Sequence, residues 1–319
     1  MNKALSGGGD LVSNYLITGA SGGMGRALTR KLVDAGHNVW GIDRKPVVTR
    51  SDPIPDPVPA VSVITKSDPV PADCAVFADS PYYHFIQADI TDRDALVAAA
   101  DRIREELTAS GADNAGQAGD DEPGLDAIVN MAGIYDLYSL AEIDEARFIR
   151  DFDVNLFGMY RVNQIFLPLL KPRGRTLVVS SELAPLEPLP FTGIYALTKA
   201  AVEKYACALR MELQLLGHPV VVVRPGAVAT DLLPASVNRL NEFCDETRLY
   251  PLPSDRFRRV VNRVESRSIT PDRLADCVIR ALRARRPRLV YNVNRNPLLR
   301  LLNILPARLR LLIIKRILS

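Results

Sequence analysis

The sequence predicts a doubly wound α/β fold, a parallel sheet with helices on both faces. Short apolar runs alternate with longer segments of helical period along most of the 319 residues. Those runs are continuous rather than alternating, the pattern of strands covered on both faces. The length suffices for one such domain with a full core.

The elements follow in order. Residues 1–13 read as a flexible arm, and the α/β domain spans 14–294. "NYLITGA" is a buried strand, "GGMGRALTRKLVDAG" a helix ending at Gly36, and "NVWGI" a second strand. Prolines crowd the next stretch, so 44–81 reads as an irregular insert. "YHFIQAD" resumes as a strand and "DRDALVAAADRIREEL" as a helix, and 109–123 forms a second loose insert. "LDAIVN" is a strand, "EARFIRDFDVNLFGMYRVNQIFLPLL" one long helix, and "RTLVVSS" a strand. A helix carrying Tyr195 runs to Leu216, and "PVVVVRPG" is the next strand. Residues 227–269 read as an irregular or short-helical substrate loop. Thr270 and Pro271 open a helix as N-cap and first-turn proline, and "RLVYNV" is the last strand. The tail, 295–319, is a basic, leucine-rich helical extension, with Leu298, Leu301, Leu302 and Leu305 on one face.

Composition excludes several classes. Cys74, Cys207, Cys244 and Cys277 are far apart, with no CxxC or Cys/His cluster, so no metal site is expected and a reducing compartment fits. The three histidines are scattered and form no triad. The N-terminus has no signal-peptide pattern, and Arg and Pro break the apolar stretches near the C-terminus too early for a spanning helix. A cytoplasmic location is expected. Net charge is +3, yet eleven Lys/Arg and no Asp/Glu lie from Arg280 onward, so the body is acidic and the tail basic. Three roles fit the tail: contact with an anionic membrane surface, a lid over an apolar pocket, or packing on a second subunit. No aromatic platform or recognition helix accompanies its charge, so nucleic acid is not an expected partner.

The loop "TGASGGMG", Thr18–Gly25, lies between a strand and a helix. There glycines permit a tight turn and close approach of backbone N–H groups to a pyrophosphate. Gly19, Ser21, Gly23, Met24 and Gly25 are the candidate contacts. Asp43 ends the second strand, where a carboxylate accepts from an adenosine ribose and repels a 2′-phosphate. That favours NAD. Arg44, beside it, is a guanidinium suited to a 2′-phosphate and keeps NADP as the alternative.

With these residues the sequence resembles the short-chain dehydrogenase/reductase family from about Asn14 to Val293. "TGASGGMG" looks like its cofactor loop, and Asp89 and Ile90 like its adenine contact. "NMAG" supplies Asn130, Ala132 and Gly133, departing by one residue from the usual NNAG. "VNLFG" places Asn155 at the family's helix asparagine. "VVSS" ends at Ser181, "YALTK" supplies Tyr195 and Lys199, and "RPGAVAT" resembles the PGxxxT segment, with Pro225, Gly226, Val228 and Thr230. Ser181 precedes Tyr195 by fourteen residues, which fits the compact branch with one inserted residue and leaves either Ser180 or Ser181 facing the substrate.

The resemblance implies a Rossmann fold and hydride transfer between a nicotinamide cofactor and a secondary alcohol or ketone. Tyr195 and Lys199, four apart, share a helix face, and an ammonium there favours the phenolate. Ser181 would donate to the substrate oxygen, and Asn155 would hold a water linking Lys199 to solvent. Apolar residues in "APLEPLPFTGI" and in the 231–260 region suggest an apolar substrate. A homo-oligomer, dimer or tetramer, is expected. Two other functions share the fold. One is a non-catalytic cofactor-binding scaffold or sensor, which would normally have lost one of Ser181, Tyr195 and Lys199. The other is an extended-branch nucleotide-sugar epimerase or dehydratase, which the short Ser181–Tyr195 spacing disfavours.

Overall fold

The structure is a computed structural model that describes residues 12–45, 77, 79–113, 123–230, 232–265 and 267–319. Among the described residues, seven parallel strands form one sheet in the order β3-β2-β1-β4-β5-β6-β7. They are β1 (Asn14–Thr18), β2 (Asn38–Asp43), β3 (Tyr83–Gln87), β4 (Leu125–Asn130), β5 (Leu170–Val179), β6 (Val220–Pro225) and β7 (Val290–Val293). Chain order reverses between β1 and β4, which opens a crevice at the C-terminal ends of the strands.

Successive strand residues serve opposite faces. On one face Ile17, Val129 and Val221 meet Leu28 and Leu32 of α1 (Gly23–Asp34) and Leu274 and Val278 of α8 (Pro271–Arg283). On the other, Leu16, Ile42 and Ile128 meet Leu96 and Ile103 of α2 (Arg93–Asp113) and Val162 and Phe166 of α4 (Met159–Phe166). Val178, Val220 and Val222 on that side pack on Val202, Ala206 and Leu209 of α5 (Gly193–Leu213). This double burial is why the strands read as continuous apolar runs.

Several elements differ from expectation. The long helix is α3 (Glu145–Phe152), a π-helical stretch Asp153–Gly158 and α4 in succession. The wide turn coincides with Asn155, whose side chain bonds the Ile134 backbone. The segment read as irregular or short-helical, 227–269, holds two helices of fifteen residues, α6 (Leu232–Glu246) and α7 (Pro251–Glu265). Leu240 and Phe243 of α6 and Phe257 and Val261 of α7 recur at helical spacing and bury against Phe191 and Leu137. α2 runs on to Asp113, into the expected insert, because no proline interrupts it before Pro123. Thr270 stands at the N-cap of α8, but its hydroxyl makes no capping bond, so the proline after it carries that start. Residues 1–11 of the expected arm, and most of both inserts, lie outside the described residues.

The tail forms α9 (Pro297–Ile304) and α10 (Ala307–Leu318), divided at Pro306. The expected single apolar face is split: Leu302 and Leu305 are half-buried, whereas Leu298 and Leu301 are exposed.

Candidate active site

The glycine loop is shaped by what its glycines exclude. Gly19 has φ +73°, and a Cβ there would lie 2.8 Å from the Ala132 Cα. A Cβ on Gly25 would lie 2.1 Å from the Gly19 carbonyl oxygen, and one on Gly23 would lie 2.9 Å from the Thr230 Cβ. Gly19 and Gly25 therefore pack backbone on backbone and Gly23 packs against Thr230, so none of the three glycine positions could carry a side chain at the α1 N-terminus. The Ser21 hydroxyl is buried without a partner among the described residues. This cradle and orphaned hydroxyl fit a dinucleotide pyrophosphate. Met24, one residue on, lines the cleft.

Asp43 accepts from the Ser21 N–H at 3.0 Å and from the Lys45 N–H at 3.2 Å, which fixes its carboxylate at the end of β2. Arg44 is exposed, and its carbonyl accepts from Gln87 Nε2 at 3.1 Å. Asp89 accepts from the N–H and hydroxyl of Thr91, while Ile90 is buried against Gly158. The Ala88 N–H donates to the Asp43 carbonyl at 3.0 Å, so these residues border the Asp43 end of the crevice.

At the end of β4, the Thr18 hydroxyl accepts from the N–H groups of Met131 and Ala132. Asn130 donates to Asn163 at 2.8 Å, tying the strand end to α4. A Cβ on Gly133 would lie 3.0 Å from Asn155 Oδ1 and 3.4 Å from Lys199 Nζ, so both polar groups converge on that glycine. Asn155 is fully engaged: Oδ1 accepts from the Ile134 N–H at 2.8 Å, and Nδ2 donates to the Ile134 carbonyl and the Thr198 hydroxyl.

The helix α5 brings Tyr195 and Lys199 to the same cleft, with Lys199 Nζ 5.8 Å from the centre of the Tyr195 ring. Nζ donates to the Val179 carbonyl at 3.3 Å. Tyr195 is hydrogen-bonded to Ser181, and Tyr135 packs edge-on against its ring at 4.5 Å. The neighbouring serines diverge. The Ser180 hydroxyl donates to Glu203 at 2.8 Å, and Glu203 is in turn bound by Arg224. Ser181 is the one that meets Tyr195.

Burial governs both titrating groups. It pushes the Tyr195 phenol up to about 12, with Glu182 adding to the rise and Ser181 opposing it. It pushes the Lys199 ammonium down to about 8. The Tyr195 shift is set by burial, Ser181 and Glu182, and the expected lowering by Lys199 does not enter it.

Pro225, Gly226, Val228 and Thr230 line the opposite wall of this cleft of about 210 Å³. Sequence reasoning missed several of its residues. Phe257, Val261 and Val264 of α7, and Leu299 of α9, close its apolar side. Glu182, nearly buried beside Ser181, accepts from the Asn296 N–H at 2.7 Å, and burial raises its pKa. An acid directly after two serines at a strand end was the available signal. A larger polar cavity of about 300 Å³ lies by Tyr15, Asp126 and Arg175, at the other end of the sheet. There Arg175 donates to the carbonyls of Ala281 and Ala284, and Asp126 pairs with Lys171. Its polar groups serve the fold, and the topological switch points to the cleft at the strands' C-terminal ends.

Comparison with known proteins agrees. The sequence profile of the short chain dehydrogenase family matches residues 74–240. The chain belongs to that family. It is 33% identical over 149 residues to estradiol 17-beta-dehydrogenase 2 of Mus musculus, covering 46% of this chain and 35% of the relative. It is 25% identical over 289 residues to the NADPH-dependent 3-dehydrocapnine reductase of Ornithobacterium rhinotracheale, covering 87% of each. The match spans less than half the length of the mouse and rat estradiol dehydrogenases, 35% and 49%. Among solved family folds, a short-chain dehydrogenase from Streptomyces avermitilis superposes with a TM-score of 0.61 at 21% identity, over 90% of this chain and 89% of that one. One from Burkholderia cenocepacia J2315, in complex with NADP, superposes at 0.60 and 18% identity, over 97% and 98%.

Proposed function

We propose that this short-chain dehydrogenase transfers hydride between a nicotinamide dinucleotide and an apolar secondary alcohol or ketone. The observation that carries the reading is the convergence of Ser181, Tyr195 and Lys199 on one apolar-walled cleft beside the glycine loop. The loop, Asp43, Asp89, Ile90, Asn130, Ala132, Gly133 and the Pro225–Thr230 segment would hold the cofactor, which supplies the hydride when bound.

The protein's own part is proton handling and charge stabilisation. In the reducing direction Tyr195 donates its phenolic proton to the substrate oxygen, while Ser181 donates a hydrogen bond to the same oxygen as charge grows there. A phenol near 12 is a proton reservoir that needs help to be a base; a cation at Lys199, whose Nζ lies 5.8 Å from the centre of the Tyr195 ring, would favour the phenolate. Asn155 acts by position: it fixes the Ile134 turn against which Gly133 and Lys199 are set. A scaffold role would leave this set of groups without a task.

NAD is the preferred cofactor in this reading. The Asp43 carboxylate is held at the end of β2 by two N–H donors, where it would repel a 2′-phosphate. Asp43→Ser is expected to shift the NAD-to-NADP ratio of kcat/KM by about tenfold or more toward NADP, consistent with removing one close like-charge contact. The subunits associate as a homo-oligomer through the exposed apolar side chains Ile149, Phe157 and Tyr160 around the π-helical stretch, and Leu197 and Met211 on neighbouring α5. Light scattering reads that state directly.

The deciding assay incubates the protein with each cofactor and a panel of apolar secondary alcohols and ketones, following the absorbance of the reduced cofactor. Tyr195→Phe is expected to lose about 10²–10⁴-fold in kcat with cofactor affinity kept. Turnover that survives the substitution would falsify the assignment.

A further inference from the structure

The tail offers apolar side chains on two sides. Its inner side is built into the protein. Leu318 is buried and Ile314 packs in the cluster with Phe191, Phe243 and Phe257, while Leu299 lines the cleft. Polar bonds fix the same side: Asn303 accepts from the Glu187 N–H at 2.8 Å, Arg310 pairs with Glu187 at 3.6 Å, and Asn296 donates to Glu182. The helices therefore have a fixed orientation on the body.

The outer side is apolar as well. Leu298 is 63% exposed, Leu301 59% and Ile304 78% on α9, and Leu309, Leu311, Leu312 and Ile317 are exposed on α10. An ordinary amphipathic surface helix presents polar residues there. Here the polar residues among them are basic: Arg300, Arg308, Lys315 and Arg316 are exposed, and the whole of 295–319 holds no Asp or Glu. Long cationic side chains can lay their stems along apolar surface and keep their charges in water, so exposed cations beside exposed leucines suit a lipid interface with anionic headgroups. A second copy of this chain is less suited, since two such faces would bring together cations with no acid to neutralise them.

We propose that the outer face of α9 and α10 docks on an anionic lipid bilayer. Leu298, Leu301, Ile304, Leu311 and Leu312 enter the headgroup boundary, and the arginines and lysine pair with anionic lipid. The inner face of α9 carries Leu299 into the cleft, so docking sets the cleft wall against the bilayer. A path from bilayer to cleft for an apolar substrate rests on the hydride-transfer reading; the docking itself does not.

The test is sedimentation of the full-length protein with phosphatidylcholine vesicles, with and without phosphatidylserine, and needs no turnover. The protein is expected to sediment with the anionic vesicles at low salt and to be released as salt rises. Leu301→Asp with Leu312→Asp is expected to lower the partition coefficient by about tenfold or more, since two exposed apolar groups become charged. Arg308→Ser with Arg316→Ser is expected to weaken binding to anionic vesicles and leave the weak binding to neutral ones unchanged. All four side chains are exposed, and an unchanged melting temperature checks the fold. Wild-type protein that stays in the supernatant with anionic vesicles at low salt overturns the proposal. So does a leucine variant that binds as wild type. Loss of a dimer in the leucine variant, with no vesicle binding by wild type, would assign the face to a second copy and also overturn it.

Discussion

Lys199 is a cation held almost out of water, with one carbonyl among the described residues, that of Val179, as its acceptor. Its pKa falls from 10.5 to about 8 because burial disfavours the charged form. Between those two values the unfolded chain binds more protons than the folded one, so this group's contribution to stability rises with pH across that window. Below about pH 8 the charge costs the fold on the order of 3 kcal/mol. Lys199→Met is therefore expected to stabilise the protein at pH 7 by about 1–3 kcal/mol while removing activity, with the gain shrinking toward pH 10. Denaturant melts of both proteins at a series of pH values read this; a gain that did not change with pH would sink the burial account. Asp151 is the acidic counterpart. It is fully buried on α3, and neither carboxyl oxygen has a hydrogen-bond partner among the described residues. Burial raises its pKa from 3.8 to about 7, Asp136 adds to the rise, and Arg239, Arg147 and Arg150 oppose it. The folded state then holds the extra proton between pH 3.8 and about 7, so stability from this group is lost as pH rises through that range. Asp151→Asn is expected to raise the melting temperature at pH 8 and leave it nearly unchanged at pH 4.

At the scale of elements, the glycine loop makes a sharp contrast with an ordinary helix end. The Gly25 Cβ position is occupied by the Gly19 carbonyl, which is backbone and has nowhere to move, whereas at Gly36 nothing lies within 4 Å and only φ +79° resists a side chain. Gly25→Ala should cost about 2–4 kcal/mol and weaken cofactor binding by tenfold or more, and Gly36→Ala about 1–2 kcal/mol with binding unchanged. Equal effects in a paired melt and cofactor titration would mean that the loop is not closed as described. This loop was legible in the sequence because glycines mark backbone geometry directly, between a strand and a helix that both have strong patterns. The inner strands β1, β4 and β6 were legible for a similar reason: burial on both faces leaves a nearly uninterrupted apolar run. The π-helical stretch was not, since it depends on Asn155 reaching Ile134, a contact made only in the folded chain. The length of α6 and α7 was hidden because prolines stand near their starts, and their apolar residues gain meaning from Phe191 and Leu137 on other elements. Telling Ser180 from Ser181 required the Glu203–Arg224 pair that draws Ser180 away.

At the scale of the molecule, the apolar interior is divided. Two layers of side chains cover the sheet, and a separate cluster of Leu137, Phe191, Leu240, Phe243, Phe257, Val261 and Leu318 builds the wall beyond the strand ends. The glycine loop belongs to the sheet; Phe257 and Val261 belong to the wall and also face the cleft. The two regions should therefore respond separately to damage. Deleting residues 307–319 removes Leu318 and Ile314 from the wall and leaves α1, β1 and the glycine loop with all their contacts. Burial of a leucine-sized side chain is worth about 1.5–3 kcal/mol, so two such losses are enough to loosen α6 and α7 without unfolding the sheet. The truncated chain is expected to bind NAD within about threefold of the full chain and to show a KM for apolar substrates raised by tenfold or more, because the cleft wall is no longer fixed. Hydrogen exchange should rise in α6 and α7 and stay low in β1, β4 and β5. If cofactor and substrate affinity fall together, or exchange rises across the sheet, the wall and the sheet form one cooperative unit and the division drawn here is wrong.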